Sequence, residues 1–120
     1  MTRDRKLAAL LRLAEMQKDA ALTVLSAAEH VREESALRLT AMDTAAMLAR
    51  QSAAEATDPM MLRAQDRFAA FIRHKRHDLD QDLTEKSTAC TEKRLCAARA
   101  FGQFQSLLAL NVKLTARLQR

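Results

Sequence analysis

Glycine and proline, which most often interrupt regular structure, occur only once each in this 120-residue chain, at Gly102 and Pro59. Average usage would give about 8 glycines and 6 prolines. Turns, hairpins and phosphate-binding loops need glycine, which argues against an ordinary β or α/β protein. The helix formers Ala and Leu number 24 and 18, whereas the strand formers Val and Ile together number four. The chain is therefore predicted to be all-α.

The clearest break in the chain lies at Asp58 and Pro59. An Asp side chain can accept hydrogen bonds from the free N–H groups at a helix start, and proline suits the first helical turn. The residue before a proline also disfavours the helical conformation, so a preceding helix ends there. We predict two long helices, at about residues 4–54 and 59–118, joined by a turn at about 55–58.

Apolar residues recur at alternating steps of four and three in both predicted helices, which is the pattern of a coiled-coil seam. In the first helix ten of thirteen seam positions are apolar, and in the second ten of fourteen are. The first seam is Leu7, Leu11, Ala14, Lys18, Ala21, Leu25, Ala28, Arg32, Ser35, Leu39, Met42, Ala46 and Ala49. The second is Ile72, Arg76, Leu79, Leu83, Lys86, Cys90, Lys93, Ala97, Ala100, Phe104, Leu107, Asn111, Leu114 and Leu118.

Two long helices with a short connection are expected to lie antiparallel. The predicted fold over residues 1–120 is one elongated, antiparallel two-helix coiled-coil hairpin. The segment 84–94 is the weakest part of the second helix, because it is rich in Ser and Thr and poor in apolar residues. We expect a flexible or kinked helix there.

The net charge of +5 is unevenly distributed. Residues 1–58 have a net charge of −1 and residues 59–120 a net charge of +6. A basic segment of this kind can bind an acidic protein surface, nucleic acid or an anionic membrane. The chain contains neither a recognisable signal peptide nor 18 consecutive uncharged apolar residues, so we expect a cytoplasmic protein.

No pattern of residues indicates catalysis or metal binding. His74 and His77 share a helix face with Asp78 nearby, but Lys75 and Arg76 lie between them, and solvated histidines are the expected reading. Cys90 and Cys96 are six residues apart and point in different directions on a helix, so a disulfide is not expected. Without a nucleophile set, a glycine-rich loop or paired carboxylates, we expect no enzyme, no metal and no cofactor.

The aromatic cluster early in the second helix allows two interpretations. Phe68, Phe71, Ile72 and Leu79 fall within one broad stripe, so all four can pack on the first helix. A two-helix hairpin cannot bury every side of a wide stripe, however, which leaves Phe71, and with it Phe68, as an anchor for a partner. Phe68 is closer to the seam and is expected to behave more like a core residue. Phe101 and Phe104, around Gly102, have the same ambiguity.

Two segments resemble a known family. They are LAALLRLAEMQKDAALTVLSAA at 7–28 and RFAAFIRHKRHDLDQDL at 67–83, followed by a polar stretch and a final amphipathic helix. This pattern is similar to that of the FliJ family, coiled-coil proteins of the bacterial flagellar type III export apparatus, and of its injectisome relatives. The family fold is an antiparallel two-helix coiled coil similar to the central stalk of rotary ATPases.

The resemblance implies a non-enzymatic protein that connects the hexameric export ATPase with the export gate and also handles export chaperones. It implies gate contacts at the aromatic and apolar residues of the second helix, which here are Phe68, Phe71, Ile72 and Leu79. Contact with the ATPase is expected at the basic residues where the helix termini meet, which are Arg3, Arg5, Lys6, Arg12, Lys113, Arg117 and Arg120. The protein is expected to reach the inner membrane only through its protein partners.

Two other classes remain open from the residues alone. One is a coiled-coil secretion chaperone or adaptor that binds a partner helix along its seam. The other is a basic nucleic-acid-binding coiled coil. The second is less favoured, because the basic residues are spaced apart and lack aromatic residues on which bases could stack.

Overall fold

The protein consists of two long helices in a computed structural model that describes residues 2–55 and 57–119. Helix α1 spans Thr2–Glu55 and helix α2 spans Pro59–Leu118, against the expected ranges of 4–54 and 59–118. No strand occurs within these described ranges. The all-α two-helix prediction is confirmed.

The start of α2 is fixed by the two residues that predicted it. The N–H of Met60 donates a 3.0 Å hydrogen bond to Oδ1 of Asp58, which is the N-cap interaction. The N–H of Leu62 donates to the carbonyl oxygen of Asp58 at 3.0 Å and closes the first helical turn. Pro59 occupies the first helical position, where its missing N–H costs no hydrogen bond.

The chain divides into two compact units, and both helices contribute to each. Unit 1 comprises Met1–Glu29 and Ala89–Arg120, and unit 2 comprises His30–Thr88. Unit 2 contains the turn and is therefore a helical hairpin by itself. In unit 1 the two helices also run antiparallel, since early residues of α1 meet late residues of α2.

The predicted seams face the helix interface. Among the thirteen seam positions of α1, Arg32 is the exposed one, and the other twelve are buried or half-buried. Among the fourteen positions of α2, eleven are buried or half-buried, and the exposed ones are Arg76, Lys93 and Leu118. The steps of four and three therefore identified the packed face of both helices.

Two polar seam residues of α1 form hydrogen bonds across the interface of unit 2. The hydroxyl of Ser35, only 2% exposed, donates a 2.8 Å hydrogen bond to Oδ2 of Asp82. Nε of Arg32 donates to Oγ of Ser87 at 3.1 Å. Because a shift of one helix along the other would separate these partners, such pairs help to fix the register.

Unit 1 contains two comparable contacts between its helices. The ammonium group of Lys18 lies 4.5 Å from the centre of the Phe104 ring, within the range of a cation–π interaction. Arg94 approaches Glu29 at 3.8 Å. Lys18 and Phe104 were both predicted as seam residues, so this polar interruption is matched by an aromatic residue opposite it.

The segment 84–94 is helical throughout, and no break occurs where a flexible or kinked region was expected. Two of its threonines donate hydrogen bonds to the backbone of the same helix. The hydroxyls of Thr84 and Thr88 donate to the carbonyl oxygens four residues earlier, at 3.0 Å each. Cys90 lies in the same segment and is 1% exposed, so the segment contributes directly to the packed interface.

The two cysteines lie in different environments, as their spacing predicts. Cys90 is buried and Cys96 is exposed, and both are free thiols. Neither helix, over its described residues, is long and apolar enough to cross a membrane.

Candidate protein-interaction surfaces

Unit 2 exposes a cluster of large apolar side chains on both sides of the turn. Each of them is between 43% and 77% exposed. We call this cluster the turn surface, and its members are Met47, Leu48, Met60, Met61, Leu62, Phe68 and Phe71. Large apolar side chains are also exposed in unit 1, for example Met16, Val112 and Leu118, and contiguous patches of such residues are typical of protein-binding sites.

The turn surface follows from the small residues at the helix interface beside it. Near the turn the interface side of α1 is formed by Ala46, Ala49 and Ala53, which are half-buried. Alanine lets two helices approach closely but buries little apolar area. The larger side chains of this region, such as Leu48 and Phe68, therefore lie outside the interface.

The four residues predicted to contact an export gate do not share one environment. Phe68 is 48% exposed and Phe71 is 59% exposed. Ile72 is 4% exposed and belongs to the core, and Leu79 is half-buried. Phe68 therefore differs from the expectation that it behaves like a core residue, and only Phe68 and Phe71 are freely accessible to a partner.

Two of the grooves beside the helix interface of unit 2 lie near the turn. The first, which we call the Leu48–Phe68 groove, has a volume of about 440 Å³ and no charged residue in its lining. Three of its seven lining residues are alanines, namely Ala45, Ala49 and Ala64. The second groove, of about 370 Å³, includes charged Arg50, Asp66 and Arg73 among its lining residues. The Leu48–Phe68 groove is therefore the more apolar of the two.

Gln65 lines both grooves. Its Oε1 atom is buried and accepts no hydrogen bond from the residues that the structure describes. An unpaired buried acceptor costs about 1–3 kcal/mol.

The predicted ATPase-binding residues form a basic surface in unit 1. All of those that the structure describes are exposed, and none forms an ion pair within the described part of the chain. We call this set the terminal basic surface, and it consists of Arg3, Arg5, Lys6, Arg12, Lys113 and Arg117. Arg120, also predicted for this surface, lies outside the described residues.

The two units differ strongly in net charge. Unit 1 has 11 basic and 5 acidic residues, a net charge of +6. Unit 2 has 9 basic and 10 acidic residues, a net charge of −1. The apolar turn surface therefore belongs to a nearly neutral unit, and the terminal basic surface to a strongly basic one.

His74, one of the two histidines considered as metal ligands, lies next to a carboxylate. His74 lies 3.6 Å from Asp78, one helical turn away, and its side chain is 80% exposed. Over residues 2–55 and 57–119, no group of three or more potential ligands converges on a point.

The sequence interpretation missed most of the turn surface. It identified Phe68 and Phe71 but not Met60, Met61 and Leu62, which follow Pro59 directly. A run of three large apolar residues in the first turn of a helix was the available signal, because one helical face cannot bury three consecutive side chains.

No protein-family model matches this chain, and no curated protein or solved structure shows significant similarity to it.

Proposed function

We propose that this chain is a non-enzymatic adaptor that binds one protein partner through the turn surface and another through the terminal basic surface. In line with its resemblance to the FliJ family, we assign these partners to a bacterial flagellar type III export apparatus. The turn surface then contacts the export gate, and the terminal basic surface contacts the export ATPase. Export chaperones are further partners in this proposal.

The observation on which the proposal depends is the separation of two surfaces of different chemistry between the two units. The turn surface offers Phe68 and Phe71, and large exposed aromatic residues are frequent anchors at protein interfaces. The terminal basic surface offers guanidinium and ammonium groups without acidic partners. Such groups raise the rate at which an acidic protein surface is found.

The direct test is a pull-down of the full chain with the purified export ATPase and, separately, with the cytoplasmic domain of the export gate. The variant Phe68→Ala/Phe71→Ala should lose the gate and retain the ATPase. The variant Arg3→Glu/Arg5→Glu/Arg117→Glu should show the reverse. Leu37→Ala is a matched apolar control, because Leu37 is 59% exposed, as Phe71 is, and does not belong to the turn surface.

Loss of both partners in both variants would contradict the assignment of one partner to each surface. Binding of neither partner by the unaltered chain would reject the export-apparatus assignment. Tight binding of DNA or RNA near physiological salt would favour the nucleic-acid-binding class instead.

A further inference from the structure

We propose that a second copy of this chain occupies the Leu48–Phe68 groove, so that two copies pair antiparallel as a four-helix bundle at unit 2. This inference concerns the chain alone and does not depend on the export-apparatus assignment.

The groove and its walls are complementary to each other. Three alanines line the groove, and so do Leu48 and Phe68, whose surfaces are 60% and 48% exposed. One surface thus carries both large side chains and small residues, and the large side chains of one copy can pack against the small residues of the other. An interface with two-fold symmetry requires this kind of self-complementary patch.

Additional apolar side chains extend the same face of α2. Met61 precedes Phe68 by seven residues and Phe71 follows it by three, so all three project from one side of the helix. They are 54%, 48% and 59% exposed. A second copy in the groove would cover these residues together, so pairing of two copies and binding of the partner proposed for Phe68 and Phe71 would exclude each other.

The charge distribution favours unit 2 over unit 1 as the place where copies meet. Two copies of unit 2 bring together nearly neutral surfaces, with a net charge of −1 each. Two copies of unit 1, at +6 each, would repel each other.

The spacing of charges along the helices fits an antiparallel pair. Glu55 follows Leu48 by seven residues, about 10 Å towards the turn, and Lys75 follows Phe68 by seven residues, about 10 Å away from it. A two-fold axis between Leu48 and Phe68 therefore places Glu55 of one copy at the height of Lys75 of the other. Lys75 lines a shallow depression together with Arg38, so the acidic turn residue meets a basic region.

A dimer interface of ordinary size would cover a small part of the chain. The chain exposes 9617 Å², and a standard interface buries about 800 Å² per partner. Pairing at unit 2 would therefore leave most of the surface of each copy uncovered.

The test is sedimentation equilibrium of the purified full chain from micromolar to submillimolar concentration. The unaltered chain should shift from the mass of one chain to that of two. Leu48→Asp and Phe68→Asp should each weaken association by about tenfold or more. The matched control is Met47→Asp, since Met47 is 59% exposed next to Leu48 but points about 100° away from it on the helix. The control should remain within about twofold of the unaltered chain.

Charge variants test the antiparallel arrangement separately. Lys75→Glu should weaken association by about two- to fivefold at low salt, and Glu55→Lys in the same chain should restore it. Circular dichroism verifies that each variant retains its helix content. A single-chain mass at every concentration, or equal weakening by Met47→Asp, overturns the proposal. Dimers that the charge exchange does not restore overturn the antiparallel pairing.

Discussion

The hydroxyl of Ser35 donates a hydrogen bond to Asp82 across the helix interface, at 2.8 Å. Ser35 is among the most buried residues of the chain, and it is polar. A hydroxyl at this depth is favourable only while its acceptor stays opposite it, so the pair links the stability of unit 2 to one helix register.

Removing one member of this pair should therefore cost more than removing both. We expect Ser35→Ala to lower the free energy of unfolding by about 1–2 kcal/mol, because Asp82 loses a donor in a partly buried position. Ser35→Ala/Asp82→Leu should recover most of this loss. Urea denaturation followed by circular dichroism measures both. A double variant less stable than Ser35→Ala would contradict the explanation.

The antiparallel register of unit 1 can be measured with spin labels at Leu25 and Leu95. The contacts Lys18–Phe104 and Glu29–Arg94 lie on either side of this pair, so the two backbones should be close at these positions, although the Leu95 side chain is exposed. The backbones are expected to be about 10 Å apart, the usual spacing of packed helices. Labels at Leu25 and Leu110 are the control, displaced by about 20 Å along α2. Equal distances for the two label pairs would refute the register.

Asp58 should matter for the start of α2 through its side chain. Asp58→Ala removes the acceptor for the Met60 N–H and should lower stability by about 0.5–2 kcal/mol. Asp58→Asn or Asp58→Ser keeps an oxygen at this place and should retain most of the stability. The midpoint of thermal unfolding distinguishes these variants, and Thr57→Ala is the neighbouring control. No difference between Asp58→Ala and Asp58→Ser would argue against the cap.

Phe68, Phe71 and Ile72 should respond differently to substitution by alanine. Ile72→Ala should destabilise by about 2–5 kcal/mol, since Ile72 is 4% exposed. Phe68→Ala and Phe71→Ala should each change stability by less than about 1 kcal/mol, because about half of each side chain is already in contact with water. Both should weaken binding of the partner at the turn surface. A large stability loss in Phe71→Ala would identify it as a core residue instead.

The terminal basic surface should act mainly on the rate of association. Reversing Arg3, Arg5 and Arg117 to Glu should slow binding of the export ATPase and reduce the dependence of that rate on salt, with a smaller effect on dissociation. Stopped-flow measurements at several salt concentrations test this expectation. Arg63→Glu/Arg67→Glu alters exposed basic residues of unit 2 and should leave the rate unchanged. An unchanged salt dependence in the terminal variant would reject the role.

Much of the fold was accessible from the sequence because few residues could interrupt a helix. Pro59 and Asp58 located the turn, and the steps of four and three located the packed faces. Phe68 was misjudged for a physical reason. Seven residues before Ile72, the interface continues at the half-buried Gln65 rather than at Phe68. Between closely spaced alanines there is little room for a phenyl ring, and hydrophobicity alone does not reveal this spacing.

The hydrogen-bond partners of the polar seam residues could likewise not be predicted from the sequence pattern. Ser35 was recognised as a polar interruption of the seam, but its partner Asp82 lies next to the seam position Leu83 rather than on it. Which acidic residue a buried hydroxyl meets depends on the register of two helices. Many weak contacts together determine that register, and it cannot be predicted from any single residue.

Because Cys90 is buried and Cys96 is exposed, the reactivities of the two thiols together report how often the helices separate. An alkylating reagent reaches the Cys96 thiol at once, whereas Cys90 reacts only in molecules whose helices have parted at that layer. A change in the ratio of the two alkylation rates reports a change in the fraction of time that the helices spend apart at Cys90. Any ligand that clamps the helices together should slow the labelling of Cys90 and leave that of Cys96 unaltered.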